Sequence, residues 1–201
     1  MDLSGEPPEA GFKNYCQHLG SFFRVCVTLE DMEAMSLPAN RYCSIARTLG
    51  VLGQKWNLLL LREAFLGRTR FAEFQRIGIP NATLGQRLND LVCAGLLERV
   101  TYQEEGERSR EAYALTQAGR DVLPVLVALS EWGDRHLPQE TGQGVVYAAA
   151  GERPVHLEFR DADGEFVAQD AVSIIRGPAY YAALAAADRS SDADDGINHL
   201  S

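Results

Sequence analysis

From residue 43 onward the apolar positions fall into a helical rhythm. Ile45, Leu49 and Leu52 lie four and three apart before the break "GQK", which predicts a short helix. "WNLLLLREAFLG" follows, a leucine run with almost no polar face before Arg62, so the central core helix is expected here, closed by Gly67. Phe71, Phe74 and Ile77 then mark a short helix that stops at Gly78. A longer helix is expected to begin near Asn81, with Asn81 as N-cap and Leu84, Leu88, Leu91 and Val92 on its buried side. Its other side carries Ala82, Thr83, Gln86 and Asp90, flanked by Arg87 and Asn89.

Two short helices joined by a glycine-containing turn, the second polar on its outer face, form a helix-turn-helix. "LLERVTYQ" and "REAYAL" read as strands around the polar loop "EEGERS", a hairpin placed where a wing belongs. The stretch from Leu115 to Leu137 reads as one last helix with Thr116 as its N-cap. Its apolar positions cover more than half of a helical wheel, and a helix lying on one core needs less. Burial by its counterpart in a twofold dimer is the simplest expectation, with Val122, Leu126, Leu129 and Trp132 at the interface; cover by the chain's own C-terminal segment is the alternative.

The two ends of the chain differ in character. Residues 1–40 read as an N-terminal extension without a clear period, and Met35 looks like a natural start. Residues 144–178 are β-rich, with Val155, Leu157 and Phe159 alternating and Asp163-Gly164 as a turn signal, so a small antiparallel β element is expected. Residues 179–201 are alanine-rich and then acidic, which predicts a frayed helix and a disordered tail. The fold class expected is mainly α with a β-wing: a winged helix-turn-helix domain over 41–138, plus the C-terminal β element.

Charge sharpens this picture. The 201-residue chain carries a formal net charge of -9, but unevenly. Residues 1–40 hold two basic and six acidic side chains, 41–137 thirteen and eleven, and 138–201 four and eleven. Within the basic middle, Arg68, Arg70, Arg76 and Arg87 stand against Glu73 alone over residues 68–87, a local surplus suited to phosphates.

Other chemistries find little support. The four cysteines, Cys16, Cys26, Cys43 and Cys93, lack Cys-x-x-Cys spacing, and the four histidines are scattered, so neither a metal site nor a cofactor is expected. No nucleophile motif or phosphate loop appears, which argues against an enzyme. No uncharged run approaches the roughly 18 residues of a membrane helix, and no secretory signal is recognisable, so a cytoplasmic, nucleoid-associated protein is expected.

Six stretches in order resemble one family. They are C-x-IARTLGVLGQKW (43–56), LLLREAFLG (59–67), RFAEF (70–74), LGQRLNDLVCAGLLER (84–99), REAYALTQAG (110–119) and LPVLVALSEW (123–132). The chain is similar there to the HxlR-type winged helix-turn-helix transcriptional regulators, relatives of the MarR group. The tail, with VHLEFRDADG and IRGP, is similar to a β extension on some members. The resemblance implies a homodimer that binds double-stranded DNA at a pseudo-palindromic operator, with an effector of unknown identity.

Carried onto this chain, Asn81, Thr83, Gln86 and Arg87 are the base-reading candidates, because Gln pairs with adenine and Arg with guanine in the major groove. Arg68, Arg70 and Arg76 are expected on phosphates, and Arg110 matches the family's wing arginine. Glu104, Glu105 and Glu107 crowd the wing tip, where they would repel phosphate. That departure keeps open a rival reading, a protein-interaction module that has lost DNA binding. Cys43 stands where some members carry a redox-sensing cysteine, although Cys-Ser replaces the usual Cys-Pro and a buried, inert thiol is the competing reading.

Overall fold

The structure, a computed structural model, describes residues 15–18, 24–27, 43–103, 109–182 and 185. Two short strands, β1 (Tyr15–His18) and β2 (Arg24–Val27), pair antiparallel with Cys16 opposite Cys26 in the backbone register. The sequence pattern showed no strand there. Met35 lies outside the described residues.

Helix α1 spans Ser44–Leu52 and α2 spans Lys55–Phe65, close to the expected bounds. Gly67 adopts φ 82 just past the end of α2, a left-handed position that suits glycine. Leu60 and Leu61 of α2 are fully buried, as a central core helix requires. Asn57 is buried with them; its Nδ2 donates to the Val51 carbonyl at 2.7 Å and so ties α2 back to α1. The amide oxygen has no partner among the described residues.

Helix α3 (Phe71–Phe74) runs into a 3-10 turn at Gln75–Ile77, and Gly78 (φ 80) turns the chain toward α4 (Asn81–Cys93). The N-cap of α4 is Pro80, and Asn81 is the first helical residue. The expected cap role of Asn81 is therefore corrected: its Oδ1 accepts from Gln75 Nε2 at 2.6 Å, across the turn, rather than from its own helix. Leu84, Leu88 and Leu91 are fully buried, while Val92 is half-buried. Each fully buried leucine contributes about 1.5–3 kcal/mol. The helix ends in a left-handed Gly95 (φ 69), with Leu96 N–H donating to the Leu91 carbonyl at 2.9 Å, the six-to-one bond of a Schellman turn.

That turn launches β3 (Leu97–Tyr102), which pairs antiparallel with β4 (Arg110–Leu115). The hairpin is the expected wing, and its tip, Glu104 to Arg108, lies outside the described residues. Thr116 caps the next helix as expected, its Oγ1 accepting from Gly119 N–H at 3.0 Å. The single long helix is not formed, however. A short α5 (Gln117–Arg120) is followed by α6 (Leu123–His136), because Pro124 has no N–H to continue the ladder.

Two hairpins make up the C-terminal element. β5 (Ala148–Ala149) pairs with β6 (Arg153–Pro154), and β7 (Phe159–Arg160) with β8 (Phe166–Val167). Asp163-Gly164 is the turn of the second, with Gly164 at φ 85 and Asp161 N–H donating to the Glu165 carbonyl. The stretch "AVSIIR" forms no strand, contrary to expectation, since a 3-10 turn at Gln169–Ala171 precedes residues without a pairing neighbour. Residues 183, 184 and 186–201, most of the expected disordered tail, lie outside the described residues.

Candidate nucleic-acid interface

The buried leucine stripe of α4 fixes which side of the helix faces outward. Asn81, Ala82 and Gln86 are exposed, and Thr83 and Arg87 are partly so. The structure thus brings the four expected base-reading residues onto the N-terminal two turns of one helix. Two of them are already engaged. Gln86 Nε2 donates to Asp90 Oδ1 at 2.7 Å, and Arg87 Nη1 to Asp90 Oδ2 at 3.0 Å. Asp90 therefore holds both side chains along the helix surface and offsets the arginine's charge. Gly85, on the same helix, has open space where a Cβ would stand.

The flanking arginines occupy different settings. Arg76 is exposed and has no partner among the described residues, whereas Arg68 lies 4.0 Å from Glu63. The Arg70 guanidinium stacks on the Tyr102 ring at 4.7 Å, and its backbone bridges to Ala112. Together with Tyr113 N–H donating to the Thr69 carbonyl at 2.8 Å, this pins the start of α3 to the wing hairpin. Arg110 pairs with the same Tyr102 across the hairpin, at the end of the register nearest the wing tip.

Glu73 belongs to this framework rather than to any binding face. Its carboxylate accepts from the backbone N–H groups of Arg70 and Thr69, both at 2.9 Å, and caps α3. These two hydrogen bonds hold its pKa below the ordinary carboxylate value.

Sequence reasoning missed Arg99. Its Nη2 donates to Asn89 Oδ1 at 3.0 Å and its Nε lies 3.7 Å from Glu111, so it joins the wing to the recognition helix. Strand alternation from Leu97 carried the signal, since a buried Leu97 directs Arg99 and Thr101 to a common face.

Cys43 stands at the N-cap of α1 and is half-buried, with Arg47 Nη2 bound to Ser44 Oγ at 3.1 Å beside it. Of the four residues expected at a dimer interface, Leu129 and Trp132 are 49% and 57% exposed. Val122 and Leu126, by contrast, are only 7% and 6% exposed and pack into the chain's own core with Leu60 and Leu91.

The model of the HxlR-like helix-turn-helix family matches residues 51–141, which include α2 through α6. An uncharacterized HTH-type transcriptional regulator of Mycobacterium tuberculosis, Rv3095, is 39% identical over 145 residues, covering 71% of this chain and 90% of that protein. The chain belongs to the HxlR-like helix-turn-helix family. An uncharacterized HTH-type transcriptional regulator of Synechocystis is 36% identical over 101 residues, 49% of this HxlR-like chain and 73% of the relative. Among solved structures, PA1607, described as a transcription factor, is 34% identical with a TM-score of 0.59, covering 68% of the HxlR-like chain and 96% of its own. The winged helix-turn-helix expected from the sequence is thereby established, and the protein is a transcriptional regulator of HxlR type. No helix among the described residues is long and apolar enough to cross a membrane.

Proposed function

We propose that this HxlR-type regulator binds a pseudo-palindromic operator as a homodimer, with the N-terminal half of α4 in the major groove. One observation carries the reading: the polar face of α4 is open to solvent directly opposite the leucines that fix the helix to its domain. Asn81, Thr83, Gln86 and Arg87 are the base contacts, and Arg68, Arg70, Arg76 and Arg110 hold phosphates. On this reading the protein is nucleoid-associated and acts in transcription rather than catalysis.

The dimer rests on how α6 is shared out. Val122 and Leu126 face the chain's own core. Ser130 and Glu131 face the C-terminal element, through Tyr147 Oη and through His156 Nδ1 with Leu157 N–H, and Asp134 accepts from Gln143 Nε2 in the segment leading to it. Val125, Leu129 and Trp132, spaced i, i+4 and i+7, form a third stripe that is apolar and exposed. Own-chain cover therefore accounts for only one of the two outer sides of α6, and a second copy accounts for the other.

The test is a gel-shift titration on DNA upstream of the protein's own gene, against unrelated DNA, as salt is raised. Preferential binding whose log K falls linearly with log salt is the expected result. Equal, weak retention of both fragments at low salt would leave the protein-interaction module as the better reading.

A further inference from the structure

A cavity of about 300 Å³ lies between the end of α2, the start of α6 and the C-terminal element. Phe65 and Leu66 form one wall, Leu123 and Val127 a second, and Val146 and Val155 the third. The third wall lies beyond residue 141, where the family match ends. It is held in place by Tyr147, whose hydroxyl meets Ser130 Oγ at 3.1 Å and whose carbonyl accepts from Val155 N–H at 3.0 Å.

Arg62 is the one charged residue of the lining, and Tyr147 is the one other that carries a polar side-chain group. Two of the arginine's donors, Nε and Nη2, are bound to Glu63 Oε1 at 3.0 and 2.7 Å. Glu63 itself is not part of the cavity wall, and Nη1 forms no part of that pair. An open apolar cleft takes an apolar body, while a guanidinium among its lining residues takes an anionic group. A volume near 300 Å³ is at the small end for ligand sites.

We infer that this cavity is a binding site for a compact, apolar organic anion of about a dozen non-hydrogen atoms, such as a small aromatic carboxylate. Its ring fills the space between Phe65, Val127 and Val155, and its carboxylate meets the Arg62 guanidinium. A regulatory consequence rests on the DNA-binding reading above. Leu66 is the C-cap of α2, and the chain passes from it through Gly67 to Thr69 and α3, so an occupant pressing on Leu66 acts on the link to the helix-turn-helix.

The experiment is calorimetric titration of the full chain, without DNA, with naphthalene-1-carboxylate as probe and naphthalene-1-methanol as its neutral counterpart. Saturable binding of one carboxylate per chain is expected, at least about tenfold tighter than the alcohol. Val155→Trp, which fills the cavity from an exposed position, should weaken the carboxylate at least about tenfold. Arg62→Met should erase the preference over the alcohol while leaving the alcohol's affinity in place; Arg62→Met with Glu63→Gln serves if the single variant fails to fold.

No saturation up to about 10 mM, a Kd above the weakest useful binding, overturns the site. So does unchanged carboxylate affinity in Val155→Trp, or a dimer that dissociates in that variant while the parent binds no probe, which would assign the cavity to a second copy. Because the titration contains no DNA, failure here and failure of operator binding are separate results.

Discussion

Arg87 Nη1 donates to Asp90 Oδ2 at 3.0 Å, three residues along the same face of α4, so the recognition helix restrains its own guanidinium. On the proposed DNA-binding reading, contact with guanine requires the arginine to leave that carboxylate. Asp90→Asn removes the competing charge and a like-charge penalty against phosphate. Affinity for unrelated DNA should rise by about tenfold at low salt, with a smaller gain on the operator. Parallel gel shifts of the parent and Asp90→Asn measure this; a loss of affinity for both DNAs would mean that Asp90 positions Arg87 for binding.

Gly85 faces open space in the middle of a helix, where glycine costs about 1 kcal/mol relative to alanine. Gly85→Ala is therefore expected to raise stability by about that amount in urea unfolding. If α4 approaches a DNA backbone closely at Gly85, operator affinity falls in the same variant. Higher stability with unchanged affinity would show that the glycine serves no contact.

Thr116 Oγ1 accepts from Gly119 N–H and donates to the Gly95 carbonyl at 2.5 Å, joining the wing's exit to the turn after α4. Thr116→Val keeps the shape and removes both bonds. A loss of about 1–2 kcal/mol is expected from the cap and the orphaned carbonyl. Gly119→Ala should cost more, because a Cβ there collides with the Leu96 carbonyl. Chemical unfolding ranks the two variants.

Leu129 and Trp132 stand exposed on the third stripe of α6. Leu129→Glu with Trp132→Glu places charges on that stripe without touching the chain's own core. The expected outcome is a folded monomer by sedimentation and circular dichroism, with operator binding lost. A variant that remains dimeric would move the interface elsewhere.

Glu73 supplies the pH dependence. Its folded pKa is lowered from 4.5 by the Arg70 and Thr69 N–H groups, while the unfolded chain titrates at the ordinary value. The stabilisation is thus present above the ordinary carboxylate pKa and is lost as pH falls through the lower folded value. Glu73→Gln should be less stable than the parent at neutral pH, with the gap closing in acid. A gap independent of pH would assign the effect to packing.

Much of this is legible in the sequence. The i, i+4, i+7 leucines of α4 placed the recognition helix within a residue of where it lies, because one buried stripe on a regular helix determines its opposite face. Thr116 and the glycines at 67 and 78 were equally legible, since capping and left-handed backbone are local chemistry. Asn81 misled for the same reason: an N-cap signal is local, and the neighbouring Pro80 and the reach of Gln75 across the turn decided the position instead.

The sequence by itself determined the order of the helices and the wing, the inward face of α4 and the surplus of arginine around the helix-turn-helix, whereas Ile45 and Leu49 of the α1 stripe stand 70% and 56% exposed. These follow from periodicity and composition along a single segment. Only the tertiary structure decided that Val122 and Leu126 belong to the chain's own core while Leu129 and Trp132 stay open. It also decided that Asp90 occupies two of the four expected base-reading side chains, and that the C-terminal element closes a cavity against α2 and α6. A helical wheel shows how much apolar surface must be covered, but which neighbour covers each side depends on contacts between residues distant in sequence.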